Sequence, residues 1–389
     1  MEFNLENVIS LITTFQAFLF AAYLLSNNPN RNASNYFMAI FLVTYGIDFA
    51  AFYSWHYIYP IAPNIGMILS MTLYLSFPSL FLYIKSSLYS DFKLQKYDLF
   101  HLIPFLAINL VSFPFYYLYN AFPEFAPENA LSTFNNIVIP VNYFILHALG
   151  LSYLTASYLL LRRYKKLFLE NFSNADTNKY SYLLQLIIII AAADLISLVK
   201  NFAMFNRWLD LYNYALILVN FVALVMICWI VYKALKSPEL FMCISSKTLP
   251  VSDIVKENHK GIAKSAEDRT NELNHREIRH LQDYMKESTP YLDPSLTLFS
   301  LAKQLNLPSK ELSVLINHTM GLHFFDFVNE YRINYAKELL LNQKRQDLTV
   351  LEILYDAGFN SKSSFNTEFK KRTGVTPTEY RKKHSLSIS

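Results

Sequence analysis

The sequence predicts an all-α protein: a seven-span transmembrane helix bundle followed by a cytoplasmic domain of two helix-turn-helix units joined by a long helix. Three observations predict it. Charge is distributed unevenly, apolar segments of bilayer-crossing length recur through the first 236 residues, and the last hundred residues hold an internal repeat. The expected divisions are 1–236 for the membrane part, 237–272 for a linker and 273–389 for the tandem domain.

Hydrophobic residues make up 53% of the 389 and charged residues only 16%, against about 25% in an ordinary soluble domain. Residues 1–236 hold 13 Lys and Arg with 11 Asp and Glu, whereas residues 237–389 hold 21 with 19. The longer part thus carries the smaller share of the charge. A net charge of +4 is too small to indicate a partner by itself. The two cysteines, Cys228 inside an apolar run and Cys243 just beyond it, have neither disulfide-framework nor metal-ligand spacing and read as reduced structural thiols.

Each apolar segment is long enough as a helix to cross about 30 Å of hydrocarbon. In order they run Val8–Leu25, Tyr36–Ser54, Ile61–Ile84, Leu99–Tyr119, Asn135–Leu161, Leu183–Phe205 and Tyr212–Leu235. The first has acidic flanks (Glu2, Glu6), no basic leader and no small-residue cleavage site, so it reads as a retained span. Loops on one side carry nine basic residues, five of them in "RRYKKLFLENFSNADTNKY"; those on the other carry only Arg207. Positive loops stay inside. The N-terminus is therefore expected outside and the C-terminal part in the cytoplasm. Aromatic residues crowd Pro114–Pro127, as an interfacial belt would.

Beyond Lys236, residues 237–290 mix 8 basic and 9 acidic residues and begin as a flexible linker. From Asn271, Leu273, Ile278, Leu281 and Met285 recur at spacings a short amphipathic helix uses. A dimerising coiled coil would need more heptads, so a connecting helix is the expectation.

The repeat lies in "LFSLAKQLNLPSKELSVLINHTMG" (Leu298–Gly321) and "VLEILYDAGFNSKSSFNTEFKKRTG" (Val350–Gly374). Leu298, Leu301, Ala302 and Leu307 match Val350, Ile353, Leu354 and Phe359 at an offset of 52; Leu312, Ile316 and Gly321 match Phe365, Phe369 and Gly374 at 53. The second copy thus has one extra turn residue. Each copy reads as helix, tight turn, helix and glycine stop, with a capping box at Thr349 and Glu352. Between them, Phe325, Val328, Ala336, Leu339 and Leu340 recur at helical spacing and predict one long joining helix.

Phe365 and Phe369, four apart, bury one face of the last repeat helix and turn Lys362, Ser363, Asn366, Thr367 and Lys370 outward. Leu312, Leu315 and Ile316 do the same in the first copy, turning out Ser309, Lys310, Ser313, Val314 and Asn317. Short polar side chains and Lys at a helix start suit base edges in a major groove, while Lys370, Lys371 and Arg372 suit phosphates. An ordinary solvated face is the competing explanation for any single one of these residues.

The core G-F-x-S-x-S-x-F, followed by F-K-K-x-T-G-x-T-P-x-x-Y-R, resembles the DNA-binding domain of the AraC/XylS family over roughly 274–384. Leu354 departs from the family's usual Ala and implies local repacking. The resemblance implies base contacts from Lys310, Ser313, Val314, Lys362, Ser363 and Thr367. It also implies a double-stranded DNA partner and, with 13 basic against 10 acidic residues over Tyr291–Ser389, a homodimer on that DNA. That resemblance does not extend to the membrane half, but a subset of bacterial members carries a membrane-spanning N-terminus, which this chain also resembles. The expected whole is a one-component transcription regulator in the inner membrane, in contact with the lipid bilayer and responding to a membrane signal or an unknown small-molecule ligand. A transporter or channel with a regulatory tail is the alternative, which would need repeats among the spans and a coupling-ion site.

Asp48, His147, Asp194 and Lys200 lie within the apolar segments. Ionisable groups at membrane depth are costly and face a partner or a cavity, so these four are signal-input candidates, an interhelical Asp–Lys pair being the structural explanation. No phosphate-cradling glycine loop, H-E-x-x-H or Gly-x-Ser-x-Gly motif occurs. His275 and His280 flank "REIR", loosely like a phosphoacceptor helix, but no ATP-binding domain follows. No enzyme, metal or cofactor is expected.

Overall fold

The computed structural model describes residues 5–26, 33–51, 57–89, 92–113, 130–173, 177–236, 267–342 and 348–385. It is all-helical, with no strand among the described residues. Contacts divide it into two units, one of Met1–Leu161 with Asn178–Ser246, the other of Arg162–Thr177 with Lys247–Ser389.

In the first unit, α1 (Leu5–Ser26) lies against α2 (Ala33–Phe49). Ser10 donates to the Phe49 carbonyl and Thr14 Oγ1 to the Gly46 carbonyl at 3.4 Å, so short hydroxyls join the two backbones. The helix α3 (Pro63–Leu88) tightens to a 3₁₀ turn at Thr72–Leu75. A short α4 (Ile103–Ser112) follows a 3₁₀ segment, Lys96–Leu102. The longest helix among the described residues is α5 (Ile139–Asn171, 33 residues), whose part beyond Leu161 belongs to the second unit, and α6 (Thr177–Phe205) and α7 (Leu209–Lys236) complete the first.

Five of these helices are long and apolar enough to cross a membrane: α1, α3, α5, α6 and α7. The other two expected spans differ. At 17 residues α2 is shorter than the about 20 of a full crossing. The fourth expected span coincides with α4 for only ten residues and then enters 114–129, outside the described residues, as do the aromatic segment there, Cys243 and the linker at 237–266.

The second unit begins its C-terminal part with α8 (Glu267–Glu287), which starts four residues before the expected Asn271. The first repeat is α9 (Leu298–Gln304) and α10 (Ser309–Val314), the latter widening to a π turn over Leu315–Thr319. The joining helix is α11 (Phe324–Leu341). The second repeat is α12 (Val350–Asp356) and α13 (Lys362–Thr373), closed by α14 (Pro377–Ser385).

Two apolar cores share α11. Phe324, Phe327 and Val328 pack with Leu301, Leu312 and Ile316, while Ile333, Ala336 and Leu340 pack with Ile353, Phe365 and Phe369. Leu354, the departure from the family pattern, is buried in the second core. Both turns need a left-handed residue, and they obtain it differently: Asn306 (φ 55) in the first copy, Gly358 (φ 80) at the matching place in the second. Thr297 and Thr349 cap α9 and α12 through side-chain oxygens that accept from the third residue's N–H. Gly321 (φ 67) and Gly374 (φ 80) are the expected left-handed stops.

Arg332 anchors the second unit. Fully buried, it donates from Nε to the Tyr291 carbonyl at 2.7 Å and from one terminal nitrogen to the Asp293 carbonyl at 2.8 Å. Its guanidinium also stands over the Phe359 ring. Burial lowers its pKa to about 10, and the charge persists because carbonyl dipoles replace lost water.

Candidate nucleic-acid interface

In α13 the apolar anchors fix which side chains reach solvent. Phe365 and Phe369 have no exposure, and Ser364 and Glu368 are also buried. Lys362, Ser363, Thr367, Lys370 and Lys371 are exposed, with Asn366 and Arg372 half-buried. Ser361 caps the helix by accepting from Ser364 N at 3.2 Å, so Lys362 and Ser363 occupy its first turn. The three cations of the last turn are not equivalent. Lys371 Nζ lies 3.1 Å from Asp326 Oδ1, and Arg372 bonds Glu368 and, at 3.1 Å, the Asp326 carbonyl.

The first copy is more closed. Leu312, Leu315 and Ile316 face the core, and Lys310 is exposed, but Ser309 and Val314 are half-buried and Ser313 is buried. Asn317 Nδ2 donates to Ser313 O at 3.1 Å, while its Oδ1 accepts from Phe324 N at 3.1 Å and so caps α11.

The four polar candidates of the first unit line one cavity of about 60 Å³. His147 Nδ1 lies 2.9 Å from Asp194 Oδ1, and Asn201 Nδ2 lies 3.0 Å from His147 Nε2. Asp48 and Lys200 complete the lining with Tyr45, Tyr143 and Ser197. Asp194 thus has a histidine partner, while Asp48, on another helix of the same cavity, interacts electrostatically with Lys200. Asn201 was missed, although Asp194, Ser197 and Asn201 follow one another at helical spacing along α6. No group of three or more metal-ligating side chains occurs among the described residues.

Comparison with known proteins bears on the second unit. Residues 301–383 match the helix-turn-helix domain family. This segment is an AraC-type helix-turn-helix domain. The AraC-type domain is 30% identical over 108 residues to the melibiose operon regulatory protein of Escherichia coli K12, covering 27% of this chain and 35% of that one. It is 31% identical over 109 residues to the virulence regulon transcriptional activator VirF of Yersinia enterocolitica, covering 28% and 38%. To the HTH-type transcriptional regulator ExsA of Pseudomonas aeruginosa it is 29% identical over 110 residues, covering 28% and 37%. The chain spans little more than a third of the length of these relatives, which are transcription regulators and not enzymes.

Proposed function

We propose that this protein is a membrane-integral, one-component transcription regulator. Its AraC-type domain binds double-stranded promoter DNA with α10 and α13 as the reading helices, as a homodimer. The carrying observation is the open face of α13, where Lys362, Ser363 and Thr367 point to solvent from a helix fixed by two buried phenylalanines. Base-edge contacts come from Lys310, Ser313, Val314, Lys362, Ser363 and Thr367, with Ser309, Asn317 and Asn366 beside them. Lys370, Lys371 and Arg372 lie near phosphates.

The first unit sits in the bacterial inner membrane with seven spans, its N-terminus outside. Five apolar helices support this placement, as do nine basic loop residues on one side against one on the other. The signal enters at the polar cavity, through Asp48, His147, Asp194 and Lys200.

The test is a genome-wide map of DNA bound by the full-length protein in cells, followed by footprinting with the protein in lipid nanodiscs. A recurrent bound sequence with two protected major-groove faces about one helical turn apart is expected. No enrichment over an untagged control would overturn the reading.

A further inference from the structure

The second unit includes a stretch from far upstream, Arg162–Thr177, which contains the end of α5 and the turn after it. Its attachment is specific. Phe172 pairs as an isolated antiparallel bridge with Thr297. Ser173, with no exposure, donates from N and Oγ to the Leu296 carbonyl at 3.3 and 2.6 Å. The Ser173 carbonyl accepts from Asn329 Nδ2 and from Arg332, each at 3.1 Å, and Arg332 also reaches Ser173 Oγ at 3.1 Å. One turn earlier, the Glu170 carbonyl accepts from Asn317 Nδ2 at 3.4 Å. Leu167, Phe168 and Glu170 are themselves buried.

The internal repeat supplies a control for what this attachment does to α10. At the offset of 53 residues, Ser313 corresponds to Asn366, Val314 to Thr367 and Asn317 to Lys370. In the second copy these positions are half-buried, exposed and exposed; in the first they are buried, half-buried and half-buried. The two copies share their helix-turn-helix order and differ in two ways: the first reading helix widens to a π turn over Leu315–Thr319, and it has an upstream segment against it. Asn317 is held on one side by Phe324 N and on the other faces Glu170 O.

We propose that residues 164–173 are an internal partner of the DNA-binding domain, docked between the 293–297 connection and α11, and that they keep the first reading helix from DNA while the second stays available. The proposal rests on the DNA-binding reading above. Its occupant is a defined piece of this chain, matched to the surface by chemistry: the end of α5 and the turn after it, whose carbonyls at Glu170 and Ser173 meet the donors of Asn317, Asn329 and Arg332. The segment continues without interruption from the part of α5 that carries His147, so a shift of α5 at the polar cavity is passed to the docked end. Release frees Ser313, Val314 and Asn317 for a groove; docking withdraws them.

The test uses the full chain in lipid nanodiscs, with Cys228 and Cys243 first replaced by serine. The pair Phe172→Cys and Thr297→Cys occupies directly opposed bridge positions, a geometry a disulfide accepts. Rapid cross-linking without DNA is expected; failure to cross-link in protein that is monodisperse and protease-resistant overturns the docking. Duplexes are then selected from a randomised pool with the reduced protein and footprinted in both redox states. The loss of the Thr297 cap is common to both states and cancels. The oxidised protein should protect only the half-site of α13. The reduced protein should protect both half-sites and bind about a hundredfold tighter or more, because the second module then adds its avidity. Equal footprints and affinities in the two states overturn the proposal. If cross-linking succeeds but neither state protects any DNA, the DNA-binding reading itself fails and the switch with it. A Ser173→Leu variant, which removes the hydroxyl and overfills its site, should behave like the reduced protein without any cross-link.

Discussion

Lys362 and Thr367 differ from Lys371 in what holds them. The first two project from the early part of α13 with exposed side chains, so alanine at either should relax sequence preference at one half-site and cost about 1–3 kcal/mol. Lys371 is exposed and paired only across the surface with Asp326, a contact worth at most about 1 kcal/mol. A phosphate competes with it readily. Lys371→Ala should weaken all sequences alike and lower the salt slope by about one, as salt titrations on matched and mismatched duplexes would register. A uniform loss from all three substitutions would mean that the faces are wrongly assigned. In the polar cavity, Asp194→Asn replaces the carboxylate beside His147 Nδ1 with a neutral amide that can present either oxygen or nitrogen. Reporter output from the full-length variant should change while its membrane level, followed by immunoblot, stays constant. Lost output with lost protein would make Asp194 a folding residue. These residues were legible unevenly. Phe365 and Phe369 announce the face of α13 by their spacing alone. The burial of Ser313 was not legible, because Asn317, whose amide lies on Ser313 Oγ, is itself turned by partners as distant as the Glu170 carbonyl.

Two glycines with the same backbone angle separate conformation from crowding at the scale of the element. Gly374 and Gly358 both have φ 80. A Cβ at Gly374 would meet nothing within 4 Å, whereas at Gly358 it would stand 2.5 Å from the Tyr291 carbonyl oxygen and 2.9 Å from that of Leu292. Gly374→Ala should cost only the left-handed penalty, about 1–2 kcal/mol. Gly358→Ala should cost far more, since it pushes away the carbonyl that Arg332 holds. Limited proteolysis of the intact protein should then find residues 267–385 protected in the first variant and cleaved in the second. The start of α12 predicts a pH dependence. Glu352 accepts from Thr349 N at 2.7 Å and from its hydroxyl at 2.8 Å, which holds the carboxyl below its usual range. Stability from this cap is present above the unfolded-state pKa, about 4.3, and is lost as pH falls through the lower folded value. Amide exchange across Val350–Ile353 should therefore accelerate on acidification relative to Glu352→Gln at matched pH. An equal response in the two proteins would remove the carboxylate from the cap. The Thr349 cap, the two glycine stops and the extra turn residue were legible, because helix ends are decided by residues within a turn of one another; the caps at Thr297 and Ser361 were not read.

For the whole molecule, the expected arrangement is a C-terminus in the cytoplasm. A reporter fused there that works only in that compartment should be active, and one fused at the N-terminus should be silent; the reverse result would invert the topology. Apolar runs were legible as helices because burial in lipid or protein demands the same composition, but composition alone does not fix where a helix such as the 17-residue α2 begins and ends. Still less legible was the reach of Ser173 to Leu296 across 123 residues, since no local pattern advertises a partner so distant. That reach has a consequence for how the protein is made. Residues 162–173 leave the ribosome before α6 and α7, and the surface that receives them is synthesised only after both have been placed. The DNA-binding unit is thus finished last and from two ends of the chain, so a truncated or stalled product cannot complete it. A gene fragment beginning at residue 267 would encode the reading helices without the turn that Arg332 and Asn329 grip. A chimera that exchanges membrane halves between relatives would have to carry residues 162–173 with the C-terminal part, leaving a junction inside a helix rather than in the linker.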